Sequence, residues 1–190
     1  DRMKDGYGLN LHLIELAVSE GVNTILTCDN GISAMDEIAF AKNAGLTVIV
    51  TDHHEPRFED GEQGRTYLLP EADVLVNPKQ PECAYPYKKL CGAAVAWKVV
   101  CLFYACSGVP FEEAEELLPF TAFATIGDVM DLDGENRILV KEGLKRMAFT
   151  QNFGLRALAE ANGLALSDIS SYHIGFVLGP CINASGRLDT

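Results

Sequence analysis

Leu46-Thr-Val-Ile-Val-Thr-Asp52-His53-His54 is an almost unbroken β-branched run that stops at an acid and two imidazoles. Such a run predicts a strand buried on both faces of a parallel sheet. A strand of that kind delivers its last side chains to the carboxyl edge, where ligands bind in open α/β sheets. Upstream, Asn23-Thr-Ile-Leu-Thr-Cys28 repeats the pattern and ends in Asp29-Asn30-Gly31. Residues 33–44 between them read as a helix, with Ser33 as N-cap, acids in the first turn and Gly45 at the end. Strand, helix, strand is a βαβ unit with a right-handed crossover, so the two strands are parallel. Asp29 thereby becomes a spatial neighbour of Asp52, His53 and His54.

Outward from this unit, Asn10 is placed to cap a helix reaching Ser19, with Leu13, Ile14, Leu16 and Ala17 as its apolar stripe. Residues 55–72 are polar and glycine-bearing and read as a surface loop, and Asp73-Val-Leu-Val-Asn77 is a third short strand stopped by Pro78. From about Leu90 the pattern turns helical, over 90–106, 111–118, 119–127, 137–149, 153–162 and 168–178. The expected fold class is therefore α/β: a parallel sheet with flanking helices over residues 1–85, followed by an all-helical portion over 86–190. No internal repeat is visible. Both the start at Asp1 and the finish at Thr190 are abrupt, as in a piece cut from a longer polypeptide.

The chain has 190 residues and a net charge of −12, with 48% hydrophobic and 22% charged residues. That composition suits a globular domain, and its acidity excludes a generic polyanion-binding surface. Local nucleic-acid binding stays open, because a bound cation inverts the electrostatics around it. No apolar run approaches the roughly 20 residues of a membrane span and no signal peptide is evident, so the cytoplasm is the default location. Six cysteines include no Cys-x-x-Cys pair, which argues for packed, reduced thiols over a structural zinc site.

Adjacent histidines after an aspartate at a strand end differ from isolated ones. Successive strand side chains point in opposite directions, so one ring can face a site and the other reach across it. His12 and His173, which stand alone, read as structural. Asp29 has a rival reading as a helix cap, a task for which Ser33 is better placed. Asp128, in Ala124-Thr-Ile-Gly-Asp128-Val-Met-Asp131, is an acid in an apolar stretch. Burying it would require a partner such as a cation. The alternative, a helix cap or exposed turn, fits Asp131 and Asp133 better. Gly179-Pro-Cys-Ile-Asn183-Ala-Ser185-Gly-Arg187-Leu reads as a loop able to hold an oxyanion, with Arg187 offering a planar fork to phosphate. A Walker A motif is absent, and Gly6-Tyr-Gly8 lacks the third glycine of a dinucleotide fingerprint.

The triplet Asp52-His53-His54 resembles the name-giving motif of the DHH phosphoesterase superfamily. Asp5-Gly-Tyr-Gly-Leu-Asn10, Thr27-Cys-Asp29-Asn-Gly31, Cys91-Gly-Ala-Ala-Val-Ala-Trp-Lys98, Ala124-Thr-Ile-Gly-Asp128 and the 179–188 segment follow the order of one branch, the RecJ-type single-strand-specific exonucleases. The resemblance implies a Rossmann-like domain that hydrolyses phosphodiesters with two divalent cations, Mn²⁺ or Mg²⁺, on single-stranded DNA, 5′ to 3′, in repair and recombination. It implies that Asp29 bridges the cations, that His53 and Asp128 ligate one of them, and that His54 contacts the scissile phosphate with Asp52 orienting the site. Asn183, Ser185 and Arg187 match the loop that grips substrate phosphate. A mixed imidazole–carboxylate set favours Mn²⁺ over Mg²⁺.

The chain departs from that pattern in three ways. An Asp-x-Asp-x-Asp-Gly strand end, expected upstream of Asp1, and a downstream DHH-associated domain are both missing. Cys181 stands where many relatives have arginine. The expectation is therefore a piece holding at most one cation, inactive alone, with a sheet edge prone to pairing. Two further readings are a superfamily enzyme acting on short oligonucleotides, cyclic dinucleotides or pyrophosphate, and a non-catalytic scaffold that kept the fold.

Overall fold

The structure, a computed structural model, describes residues 8–62 and 64–185. It divides at Lys88/Lys89 into two compact units.

In the first unit, α1 (Leu11–Ser19) starts where Asn10 Oδ1 accepts the Leu13 amide at 2.9 Å, the expected cap. Of its apolar stripe Ile14 is buried, whereas Leu13 and Leu16 remain substantially exposed. Then come β1 (Thr24–Leu26), α2 (Met35–Asn43), β2 (Thr47–Thr51), β3 (Arg57–Gly61), β4 (Gly64–Leu68) and β5 (Val74–Val76). β1, β2 and β5 form a parallel sheet in the order β1-β2-β5, with Ile25 opposite Val48 and Val50 opposite Leu75. The βαβ unit is thus present, and β2 is its central strand. Val48 and Val50 pack into a core with Ile14, Ile38, Ala41 and Leu46.

Three expectations need correction here. β1 is a strand, but at the edge of the sheet among the described residues, and Leu26 is 63% exposed instead of buried. The helix after β1 starts at Met35 behind Ala34, without a side-chain cap from Ser33. Ser33 belongs to the turn at 31–34, where the Ala34 amide already bonds the Gly31 carbonyl. Residues 55–72 are not irregular: β3 and β4 pair antiparallel as a hairpin, Phe58 opposite Tyr67 and Asp60 opposite Arg65. Its ten strand residues are all exposed, so no hydrophobic alternation marks it, and its glycines mark only the turn.

The second unit is helical throughout its described residues: α3 (Gly92–Ser107), α4 (Phe111–Glu115), α5 (Leu118–Gly127), α6 (Gly134–Met147), α7 (Phe153–Ala161), a 3₁₀ turn (Leu166–Asp168), α8 (Ser171–His173) and α9 (Gly179–Ser185). α5 and α6 approach closely at Gly143, where a Cβ would collide with the Leu118 carbonyl and Ala122. Met147, Leu155, Ala159, Ile169, Ile174 and Leu178 form the core around the later helices.

α8 and α9 are joined by a π-helical segment, Ile174–Leu178. The Gly179 amide bonds the Ile174 carbonyl five residues back, and a Cβ on Gly179 would stand 2.7 Å from that oxygen. Pro180 has no amide to give, and a wider turn just before it absorbs the interruption. The expected glycine loop at 179–188 is therefore helical as far as Ser185. Gly186 to Thr190 lie outside the described residues. Among the described residues, no helix is long and apolar enough to cross a membrane.

Candidate metal centre

The carboxyl edge of the parallel sheet carries the site. Each chemistry-bearing residue is held there by ladder bonds that run past the strand ends. The Thr27 amide bonds the Ile49 carbonyl at 2.9 Å, Asp29 bonds Thr51 at 3.0 Å, and Asp52 bonds Val76 at 3.0 Å. Register alone thus aligns Asp29 with the residues that follow β2. Between the strands, Thr51 Oγ1 donates to the Thr27 carbonyl at 2.7 Å, and Thr27 Oγ1 donates to the Asn30 carbonyl at 2.7 Å.

The turn after Asp29 is tight. Gly31 has φ +111°, and a Cβ there would lie 3.0 Å from Val50 Cγ1 and 3.1 Å from Thr27 Oγ1. Asp29 itself sits at φ +63°, a left-handed conformation that aspartate tolerates better than most residues. Such local strain clusters at functional sites.

Asp52 is 1% exposed and joins three segments. Its Oδ2 accepts the Ile32 amide at 2.9 Å, and its Oδ1 accepts the His53 and His54 amides at 2.7 and 3.2 Å. His54 Nδ1 lies 2.7 Å from the same Oδ1. Burial opposes ionisation, but the Ile32 amide, the His54 ring and the two histidine amides outweigh it and hold the Asp52 carboxyl below its ordinary value. An ionised carboxylate only accepts, so His54 Nδ1 is the donor of this pair, which turns Nε2 away from Asp52.

His53 is nearly buried, and its Nε2 lies 3.0 Å from Asp29 Oδ1. That oxygen is buried and makes no aligned hydrogen bond among the described residues. A carboxylate oxygen and an imidazole nitrogen at this separation repel unless a proton or a cation lies between them. Ligand atoms of Asp29, His53 and His54 all fall within 4.8 Å of one another. A mixed oxygen and imidazole set suits Mn²⁺ and other first-row divalent cations, and the Asp52–His54 pair supplies the carboxylate that typically orients a ligating imidazole. The residues present fit a divalent cation.

The other predicted site residues belong to the second unit. Asp128 lies at the exposed C-terminus of α5. The cap-or-turn alternative describes its backbone: its amide bonds Ala124, Val129 bonds Ile126 and Met130 bonds Thr125. This is a Schellman ending in which Val129, at φ +55°, occupies the position glycine usually takes. Asn183 is exposed on α9 rather than in a loop, and Ser185 ends that helix. Arg187 lies outside the described residues. His12 is exposed on α1, and His173 closes a capping box with Ser170.

Sequence reasoning missed Asn77. It is 2% exposed, and its Nδ2 donates to the His54 carbonyl at 2.9 Å while its Oδ1 accepts the Lys79 amide at 2.8 Å. The available signal was its place at the end of the third strand, on the edge that Asp29 and Asp52 share.

The chain resembles known proteins in both sequence and fold. The chain is 40% identical over 189 residues to the single-stranded-DNA-specific exonuclease RecJ of Bacillus subtilis, matching 100% of this chain and 22% of that protein. Against the Escherichia coli K12 protein of the same name it is 35% identical over 199 residues, covering 33% of the relative. The chain thus spans between about a fifth and a third of these curated relatives. A crystal structure of exonuclease RecJ bound to manganese superposes with TM-score 0.81 at 33% identity, over 98% of this chain and 44% of that one. RecJ from Thermus thermophilus in complex with Mn²⁺ gives 0.76 at 33% identity, over 94% and 25%. The N-terminal domain of the DHH family matches residues 4–125, more than half of the chain, and the chain belongs to that family.

Proposed function

We propose that this chain carries part of the catalytic centre of a two-cation phosphodiesterase that acts as an exonuclease on single-stranded DNA. The observation that carries the reading is the grouping of Asp29, His53 and His54 within 4.8 Å at the carboxyl edge of the sheet, in a chain that matches RecJ exonucleases along its whole length. Asp29 and His53 hold a cation, with Asp128 as a further ligand. His54 contacts the scissile phosphate or joins the ligand set, and Asn183, Ser185 and Arg187 bind substrate phosphate.

A bound divalent cation supplies Lewis acidity, neutralising phosphoryl charge and making water a better nucleophile. The chain's residues supply the frame. Asp52 accepts from His54 Nδ1, Asn77 fixes the His54 carbonyl, and the ladder bonds of Asp29 and Asp52 keep both acids on one edge. Mn²⁺ is the preferred ion, the polarity is 5′ to 3′, and the work is DNA repair and recombination in the cytoplasm alongside other repair proteins. Residues 1–190 alone bind at most one cation and do not cleave.

The test uses the full-length protein with Mn²⁺ on single-stranded DNA, duplex DNA and dinucleotides, beside an Asp29→Asn variant. Rapid loss of single strands that Asp29→Asn abolishes is expected. Preference for dinucleotides would move the substrate to short oligonucleotides, and activity untouched by Asp29→Asn would overturn the metal centre. Calorimetric titration of residues 1–190 with Mn²⁺ tests the one-cation statement.

A further inference from the structure

We propose that Arg57 holds a backbone phosphate of the bound strand, next to the one that reacts. The proposal rests on the phosphodiesterase reading above and assigns a substrate contact outside the Asp52-His53-His54 triplet.

A cavity of about 480 Å³ opens at the carboxyl edge of the sheet, and Asp29, Asp52, His54 and Arg57 are among the residues that line it. Asp36 and Glu37, from the first turn of α2, line it as well. The charge balance is unfavourable for a polyanion: four carboxylates face one fixed cation, since Arg57 is the sole Lys or Arg among these lining residues. A cation at Asp29 and His53 offsets part of this at the reacting phosphate. The neighbouring phosphate still meets the acidic rim.

The Arg57 side chain is exposed and makes no ion pair or hydrogen bond among the described residues. The other arginine of the hairpin is already engaged: Arg65 pairs with Asp60 at 3.3 Å and lies 3.7 Å over the Phe58 ring. The Arg57 backbone is fixed although its guanidinium is not. Buried Pro56 precedes it, and it opens β3 opposite Leu68. Three residues after His54, a five-donor fork therefore stands at the mouth of the cavity. Guanidinium matches phosphate geometry in two-point contacts. Because Arg57 is exposed, its replacement leaves the fold intact.

The test takes Arg57→Gln and Arg57→Lys in the full-length protein, with a fluorescein-labelled oligothymidylate as probe. In Ca²⁺ the affinity is followed against salt, and Arg57→Gln should lower the slope of log K against log salt by about 0.7, one single-strand phosphate contact. Arg57→Lys should keep the slope and lose part of the affinity. In Mn²⁺, Arg57→Gln should raise KM about tenfold and change kcat far less, a loss of binding shared by ground and transition states. Probes with one neutral methylphosphonate linkage at a time should reveal a single linkage that penalises the wild type but not Arg57→Gln. Unchanged slope and KM, or identical linkage profiles, would overturn the proposal. Should the wild type fail to cleave while the slope still falls, the phosphodiesterase reading fails and the Arg57 contact stands. Should cleavage proceed indifferent to Arg57, the contact fails and the phosphodiesterase reading stands.

Discussion

The side chain of Asn77 donates to the main-chain carbonyl of His54 at 2.9 Å, across 23 residues of chain. A buried amide at the end of β5 thereby fixes the backbone of a site residue that follows β2. Asn77→Leu should cost about 1–3 kcal/mol, because a carbonyl and an amide lose their partner inside the protein. Cleavage should fall by more than the lost stability explains. Urea melts paired with kcat on single-stranded DNA in the full-length protein would show both.

Gly31 is the position least able to accept a side chain. With φ +111° and a prospective Cβ 3.0 Å from Val50, Gly31→Ala adds a clash to backbone strain. The expected loss is about 2–4 kcal/mol. Gly45→Ala is the control: φ is +85° but nothing lies within 4 Å, so only the backbone cost of about 1 kcal/mol applies. Thermal melts of the two variants should separate clearly.

Val129 should respond in the opposite direction. A β-branched residue in the left-handed cap of α5, itself 88% exposed, gains little packing for its strain. Val129→Gly should stabilise by about 0.5–1 kcal/mol, the relief being partly offset by the freedom glycine adds to the unfolded chain. A higher melting temperature is the readout, and an unchanged or lower one would assign Val129 a contact beyond this chain.

Asp73 gives a pH dependence remote from the metal centre. The side chain of Lys42 and the Val48 amide, at 2.7 Å, hold its carboxyl below the ordinary value of 3.8. A depressed carboxylate stabilises the folded state above its unfolded pKa, and that contribution disappears as pH falls through the folded one. Wild type should therefore exceed Asp73→Asn at pH 7, and the difference should shrink below about pH 4. Urea melts at both ends of that range measure it.

The βαβ unit and the company of Asp29 with His53 and His54 were legible because register propagates from strands to the residues just after them. Strand periodicity and a crossover rule suffice for that. The hairpin was not legible, because solvent on both sides removes the alternation that identifies a strand. Neither was the helical state of Asn183: Gly-Pro normally punctuates a chain, and only the π segment ahead of Pro180 lets the helix continue. Asn77 was hidden for a third reason. A residue that acts by bonding a main-chain carbonyl leaves no signature in its own side-chain chemistry.

The pairing of Arg57 with Leu68 has a consequence for how such proteins diversify. Directly opposed residues in an antiparallel ribbon lie about 5 Å apart, so the chain leaves and re-enters the body of the protein at nearly the same point. Everything beyond that point can be shortened, lengthened or replaced while the sheet edge behind it stays put. The hairpin is in effect a grafting port beside the candidate metal centre, through which the rim of the cavity can be altered without redesigning the sheet edge behind it.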